Sequence, residues 1–150
     1  MNMMNKLGSE AVALVGVVDP VSLAPGASST GYIDMALFDQ VMALVAAGVL
    51  GVSGTLDAKL EQAQDAAGTG VKDITGKAIT QFVKASNDDD QAIINCRAEE
   101  LDVANGFSFV RLTLTVGTAA GLVFGSVWGL GPRYGPASGN DLASVQEIVN

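Results

Sequence analysis

The chain contains no histidine. That excludes the Ser-His-Asp and Cys-His arrangements of nucleophilic catalysis, and any imidazole-ligated metal. Cysteine occurs once, at Cys96, so no disulfide can form within the chain. Its setting, IINCRAEEL, reads as a small buried hydrophobe in a strand rather than a nucleophile. Aromatic residues are scarce, at 5 %, and charged residues make up only 16 %. Basic residues are outnumbered, 8 Lys and Arg against 16 Asp and Glu, for a net charge of −8. Such a chain is unsuited to nucleic acid, which needs a Lys/Arg surface for its phosphates, and to an anionic membrane. Acidity by itself mainly favours solubility.

Long apolar runs are also missing. Residues 11–18 resemble a short signal core, but Glu10 precedes them, Asp19-Pro20 ends them, and no Ala-x-Ala site follows. The run 41–56 is too short and too Gly-rich to span about 30 Å of hydrocarbon. Both read as strands, and the protein is expected to be made and used without export.

What is present is a foldable, β-rich composition. Hydrophobic residues make up 49 % and Gly numbers 18. With many Val, Thr and Ser, this fits an all-β protein with many turns. The 150 residues suit one domain. A chain of this size buries roughly 68–70 % of its unfolded surface and needs no covalent staple.

The organising stretch is 38–65, FDQVMALVAAGVLGVSGTLDAKLEQAQD. An apolar run, 41–50, meets a Gly/Ser turn, and strict alternation follows. Leu56, Ala58 and Leu60 point one way; Asp57, Lys59 and Glu61 point the other. The two runs are expected to be neighbouring antiparallel strands, the first more buried. Asp57 and Glu61, with Lys59 between them, read as a solvated edge rather than a catalytic carboxylate pair.

Further strands are expected at 11–18, 30–37, 77–84, 91–97, 107–116 and 122–130, with Pro20 and Pro25 breaking the chain after the first. In 107–116, Val110, Leu112, Leu114 and Val116 share a face, and Arg111 on the other face is expected to pair with an acid across the sheet. Tyr32 reads as an aromatic at the sandwich edge. Gly68-Thr69-Gly70 is a turn: Lys72 is followed by Asp73 and no helix, so it is not a phosphate loop. Asn87-Asp88-Asp89-Asp90 lacks the spacing of a calcium loop and reads as a solvated turn. Asn105-Gly106 is a turn signal. Asn140 or Asp141 is expected to cap a short helix whose apolar stripe is Leu142, Val145, Ile148 and Val149. A helix of about ten residues is marginal alone and must dock, here expected on a neighbouring subunit.

Roughly eight strands at short spacing give a single-domain antiparallel β-sandwich, jelly-roll-like, with a short C-terminal helix. Residues 1–10 are expected as a flexible arm, 11–136 as the sandwich and 137–150 as the tail. No catalytic residue, cofactor or metal ligand is assigned. The interface candidates are Arg133, Tyr134, Leu142, Val145, Ile148 and Val149, because aromatic, Arg and apolar anchors dominate protein contacts.

The stretches TGYIDMALFDQVMALV, GTLDAKLEQAQDAAGTGVKDITGKAITQ, QAIINCRAEELDV, FSFVRLTLTVG and GPRYGPASGNDLASVQEIV carry a resemblance. Together they are similar to a family of small proteins encoded in the structural gene modules of tailed phages and prophages, notably of alphaproteobacteria. The resemblance runs from about residue 30 to 149 and rests on strand and turn signatures. It implies a virion structural protein made in the host cytoplasm. Within that class it favours a capsid decoration, or cement, protein on the outer surface of the phage head. The partner implied is the major capsid protein, and a homotrimer at threefold-related positions is the expected assembly. The family supplies no catalytic residue.

Three other readings compete. A head–tail completion or tail protein differs in copy number. A carbohydrate-binding sandwich would need exposed aromatics, which are few. An enzyme would need two carboxylates in one cleft.

Overall fold

The computed structural model describes residues 5–150. Of the expected arm, residues 1–4 lie outside the described residues. The remainder includes a short helix, α1 (Gly8–Ala11), whose Ala11 is buried.

Among the described residues ten strands follow: β1 (Val12–Leu23), β2 (Gly26–Ser29), β3 (Ile33–Asp34), β4 (Phe38–Leu50), β5 (Thr55–Ala63), β6 (Lys72–Ala78), β7 (Phe82–Val83), β8 (Gln91–Arg97), β9 (Phe109–Gly117) and β10 (Gly121–Pro132). A one-turn helix, α2 (Lys84–Asn87), precedes β8. Short 3-10 turns lie at Ala98–Glu100, Val103–Asn105 and Ala137–Asn140.

One sheet has the order β1-β10-β4-β8. In the other, β9 and β5 are central. The short β2 and β3 succeed one another along β9, and β6 and β7 along β5. Every strand pairing among the described residues is antiparallel. Taken as eight tracks in chain order, the sheets run first-eighth-third-sixth and second-seventh-fourth-fifth, which is the jelly-roll arrangement. The interior lies between the sheets. Val41, Ala43 and Val45 of β4 and Val127 of β10 face Leu56 and Leu60 of β5 and Val110, Leu112 and Leu114 of β9, all fully buried.

Four expectations are corrected. First, β4 and β5 are not neighbours. β4 lies between β10 and β8, and β5 between β9 and β6. The Gly/Ser turn carries the chain from one sheet to the other. It packs against the link before β10: a Cβ at Gly51 would lie 2.5 Å from the Ala120 carbonyl oxygen and 2.7 Å from Ala119 Cβ.

Second, Pro20 does not end the first strand. The register slips between Val18 and Val21, so Asp19 and Pro20 sit in a bulge on an edge strand. There the missing N–H of proline costs no ladder bond.

Third, the helical turn near the C-terminus lies at Ala137–Asn140, ahead of the expected helix, and 141–150 is not helical. The Asp141 carboxylate accepts from the Leu14 N–H at 2.8 Å instead of capping a helix, and the Leu142 N–H donates to the Leu14 carbonyl at 2.9 Å. With those groups committed to the edge of β1, the backbone at Asp141 is extended (φ −61°, ψ 148°). The strand expected over 77–84 is also split, into the end of β6, the short β7 and the start of α2.

Candidate interaction surfaces

The six interface candidates divide into two groups. Arg133 lies just beyond β10, where its N–H donates to the Leu37 carbonyl at 2.9 Å. Its side chain helps line a hollow of about 350 Å³ with Met35, Phe38, Asp39, Arg97 and Glu99. Tyr134 beside it is 72 % exposed. The tail residues sit elsewhere. Val145 and Ile148 close an apolar hollow of about 420 Å³ over Val12, Leu14 and Trp128. The start of the tail thus lies on its own sandwich, while Ile148 is 43 % and Val149 85 % exposed.

The two outer faces of the sandwich differ in chemistry. On the six-stranded sheet the outer face is polar and internally answered. Glu61 accepts from Arg111 Nε at 2.7 Å and Thr113 Oγ1 at 2.9 Å, with Lys59 Nζ at 3.2 Å. Lys59 also bonds Asp73 at 2.7 Å, and the Ser29 and Thr113 hydroxyls meet at 2.8 Å. The Arg111 guanidinium lies 4.9 Å from the Tyr32 ring centroid, a cation–π distance. Arg111 thus finds its acid directly across the ladder, as the alternation implied.

The solvated-edge reading of Glu61 is corrected: β5 is an interior strand, and the Glu61 side chain is only 12 % exposed. Burial works to raise this carboxyl, but the bonds from Arg111, Thr113 and Lys59 outweigh it and hold it below the ordinary carboxylate value. Hydrogen bonds to Asp73 and Glu61 hold Lys59 above its ordinary value. Asp57 accepts from Gln81 Nε2 at 2.8 Å.

The acidic loop is similarly committed. Asp88 accepts from the Leu50 N–H at 2.9 Å and pairs with Lys84. The Lys84 bond, then the Leu50 N–H, hold its carboxyl below the usual range. Among the described residues no group of three or more Cys, Asp and Glu side chains is placed to hold a metal ion. Cys96 is fully buried, and burial pushes its thiol up to about 11. A thiol in that state is a poor nucleophile.

On the four-stranded sheet the outer face is apolar. The ladder sets Leu14, Trp128, Met42 and the exposed Asn95 in one row and Val17, Ser126, Leu44 and Ile93 in the next. Ser126, fully buried, accepts from Trp128 Nε1 at 3.0 Å, so even this hydroxyl is answered within the face. Ile93 is 58 % and Leu122 47 % exposed. A second hollow, of about 390 Å³, lies between Pro20–Ser22, Ala46–Gly48 and Leu122–Phe124. Its floor depends on Gly48, where a Cβ would come within 3.0 Å of Leu122 Cβ. No charged side chain occurs from Gly121 to Pro132; β4 has one, Asp39, at its start, and the edge strands β1 and β8 have one each, Asp19 and Arg97.

The sequence reading named none of these face residues as an interface. The signal was there. A strand with one wet face alternates, whereas 41–50 and 121–130 are apolar on both faces.

No known protein-family model matches the chain. No curated protein matches it either. Among solved structures, a chain of the cowpea mosaic virus empty virus-like particle is similar, with TM-score 0.43 and 9 % identity over 88 % of this chain and 86 % of that one. The xylan-binding domain from Paenibacillus barcinonensis gives 0.40 and 12 % over 67 % and 71 %. A chain of infectious bursal disease virus, Gx strain, gives 0.41 and 10 %, covering 84 % of this chain but 33 % of that one. At these values function has to be argued from the residues. Among the described residues no helix is long and apolar enough to cross a membrane.

Proposed function

We propose that the chain is a virion structural protein, a capsid decoration protein that seats on the outer surface of a phage head and clamps neighbouring major capsid subunits. The observation that carries the reading is the largely apolar outer face of the four-stranded sheet, with its charges, Asp19 and Arg97, at the ends of the edge strands. Extended exposed apolar surface on a folded chain marks a contact with another macromolecule. The sequence resemblance to proteins of phage structural modules supplies the setting.

A rigid, internally satisfied sandwich suits a protein that works by position. Many weak copies on a shell reinforce one another, because once one contact holds the next forms at high effective concentration. Arg133 and Tyr134, at the exposed end of β10, are the proposed contacts with the shell.

The test is to purify assembled particles and count this chain against the major capsid protein by quantitative mass spectrometry. A ratio between about one to three and about one to one is expected from symmetric occupancy of the shell. About a dozen copies would move the role to the head–tail junction, and none would overturn the virion reading.

A further inference from the structure

We infer that the outer edge of β8 pairs with the β8 of a second copy, antiparallel about a two-fold axis at Ile93, so that two four-stranded sheets join edge to edge. The inference stands apart from the decoration role.

The state of the edges is the first argument. An unprotected edge strand is a template for another strand, and proteins blunt their edges with bulges, proline, breaks or cover. Three of the four edges here are blunted. β1 slips register twice, carries Pro20, and has the Leu14 N–H and carbonyl taken by the tail. The second sheet ends in broken tracks, β2 with β3 and β6 with β7. β8, by contrast, runs against β4 from Gln91 to Arg97 without a slip, and holds no Pro or Gly.

Hydrogen bonding fixes which part of β8 is open. The Ala47 N–H donates to the Asp90 carbonyl at 2.9 Å. Antiparallel ladders alternate, so Ala92, Ile94 and Cys96 bond β4, while Gln91, Ile93 and Asn95 turn their main-chain groups outward. Arg97 shares that outward direction, but its N–H is taken by the Glu100 carboxylate at 2.7 Å. At the other end the Asp89 N–H is taken by the Gly48 carbonyl at 3.2 Å. The open stretch is therefore centred on Ile93, and among the described residues no hydrogen bond reaches its outward groups.

That symmetry selects a second copy as the occupant. An antiparallel β8 paired about Ile93 sets Ile93 on Ile93 and each Gln91 on the other copy's Asn95. Two main-chain bonds for each of three pairs make about six in all, with the reciprocity an isologous contact requires. Moving the axis to Ala92 or Ile94 would set Asn95 against Asp89 or Gln91 against Arg97, whose N–H groups are already committed. The side chains agree with the main chain. Ile93, 58 % exposed, is covered by its own counterpart. Gln91 Nε2 donates to the Asp89 carbonyl at 2.6 Å, which leaves its Oε1 for the Asn95 amide opposite.

Charge lies at the ends of the stretch. Arg97 of one copy, with Glu99 at 3.5 Å, comes to the turn at Asp89 and Asp90 of the other. Lys84 with Asp88 and Lys77 with Glu100 are paired within the chain. So are the charges of the neighbouring β6, Lys72 with Asp102 and Asp73 with Lys59. The acid left over at each end is screened beyond about 8 Å at physiological salt.

A ladder this short makes a small contact and a weak dimer, so the test is sedimentation equilibrium of the full chain at up to about 0.5 mM in physiological salt, with amide hydrogen exchange. A species of twice 15.2 kDa is expected, with the Gln91, Ile93 and Asn95 amides protected as it forms. Ile93→Pro removes an N–H that the monomer does not use and should weaken the dimer about tenfold or more. Gln91→Lys with Asn95→Lys sets like charges opposite one another twice and should weaken it about tenfold, whereas Gln91→Lys with Asn95→Glu sets opposite charges there and should restore it. Circular dichroism checks that each variant is folded. A wild-type monomer, a dimer in which those amides exchange freely, or equal behaviour of the two double variants overturns the inference. Particle counting reads the decoration role separately, so either reading can fail while the other stands.

Discussion

The sandwich has one interior but two unlike exteriors. On the β9–β5 side, Glu61, Arg111, Lys59, Asp73, Thr113 and Ser29 are bonded to one another, and Tyr32 lies against the guanidinium. On the β10–β4 side, Leu14 and Trp128 lie beneath the tail at Val145 and Ile148, while Met42, Leu44 and Ile93 form an apolar stretch across β4 and β8. The first face has spent its specific interactions inward. The second has none to spend, and its apolar area is available outward. In a protein of this kind a contact surface is found by asking which face is left unanswered, not which face carries the most polar groups.

Four substitutions or conditions sharpen that contrast. Leu112→Ala, in the interior both sheets share, should cost about 2–5 kcal/mol in chemical denaturation and weaken both faces together. Glu61→Ala leaves Arg111 and Lys59 without their carboxylate. It should cost about 1–3 kcal/mol, with Glu61→Gln costing less because one acceptor oxygen remains.

Acid should act through the bonded carboxylates rather than through the apolar face. Glu61, Glu100 and Asp102 have folded values below their unfolded ones: Glu100 through the Arg97 N–H and Lys77, Asp102 through Lys72 and Asn105. Their contribution is complete above about pH 5 and is lost as pH falls through the lowered folded values. Thermal melts from pH 7 to 2 should show this loss, and Glu61→Gln should reduce its slope. Lys59, raised, adds the opposite limb, losing its contribution as pH rises past about 10.4. Smallest of all, Ile93→Thr on the apolar face should change the melting of dilute, monomeric protein by no more than about 0.5 kcal/mol. A large effect there would mean the face belongs to the monomer's own stability.

Local features were legible because local rules govern them. Strand β8 occupies the span 91–97 read from the sequence, and Val110, Leu112, Leu114 and Val116 face inward as their alternation required. Arg111 meets an acid because cross-strand neighbours sit within reach. What failed was non-local. Alternation says which side chains of β4 and β5 face the core but not which strand lies beside which, so two successive runs read as a hairpin when they belong to opposite sheets. The stripe Leu142, Val145, Ile148 has helical spacing. The outcome there was decided by Leu14, far away in sequence, whose N–H and carbonyl took Asp141 and the Leu142 N–H. Glu61 read as wet because its burial depends on β9 and on the track of β6 and β7 lying either side of β5.

The pairing of β1 with β10 sets an order of events. Val12 faces Leu130 and Leu23 faces Gly121, so a strand made early finds its ladder partner only when the other end of the chain has been made. During synthesis the segment VALVGVV waits as an unpaired, apolar, β-prone edge. Folding must bring Val12 to Leu130, almost the length of the sandwich, before the four-stranded sheet exists, which favours slow folding. Yield of the protein should therefore respond to growth temperature and to the supply of chaperones more than its finished stability would suggest.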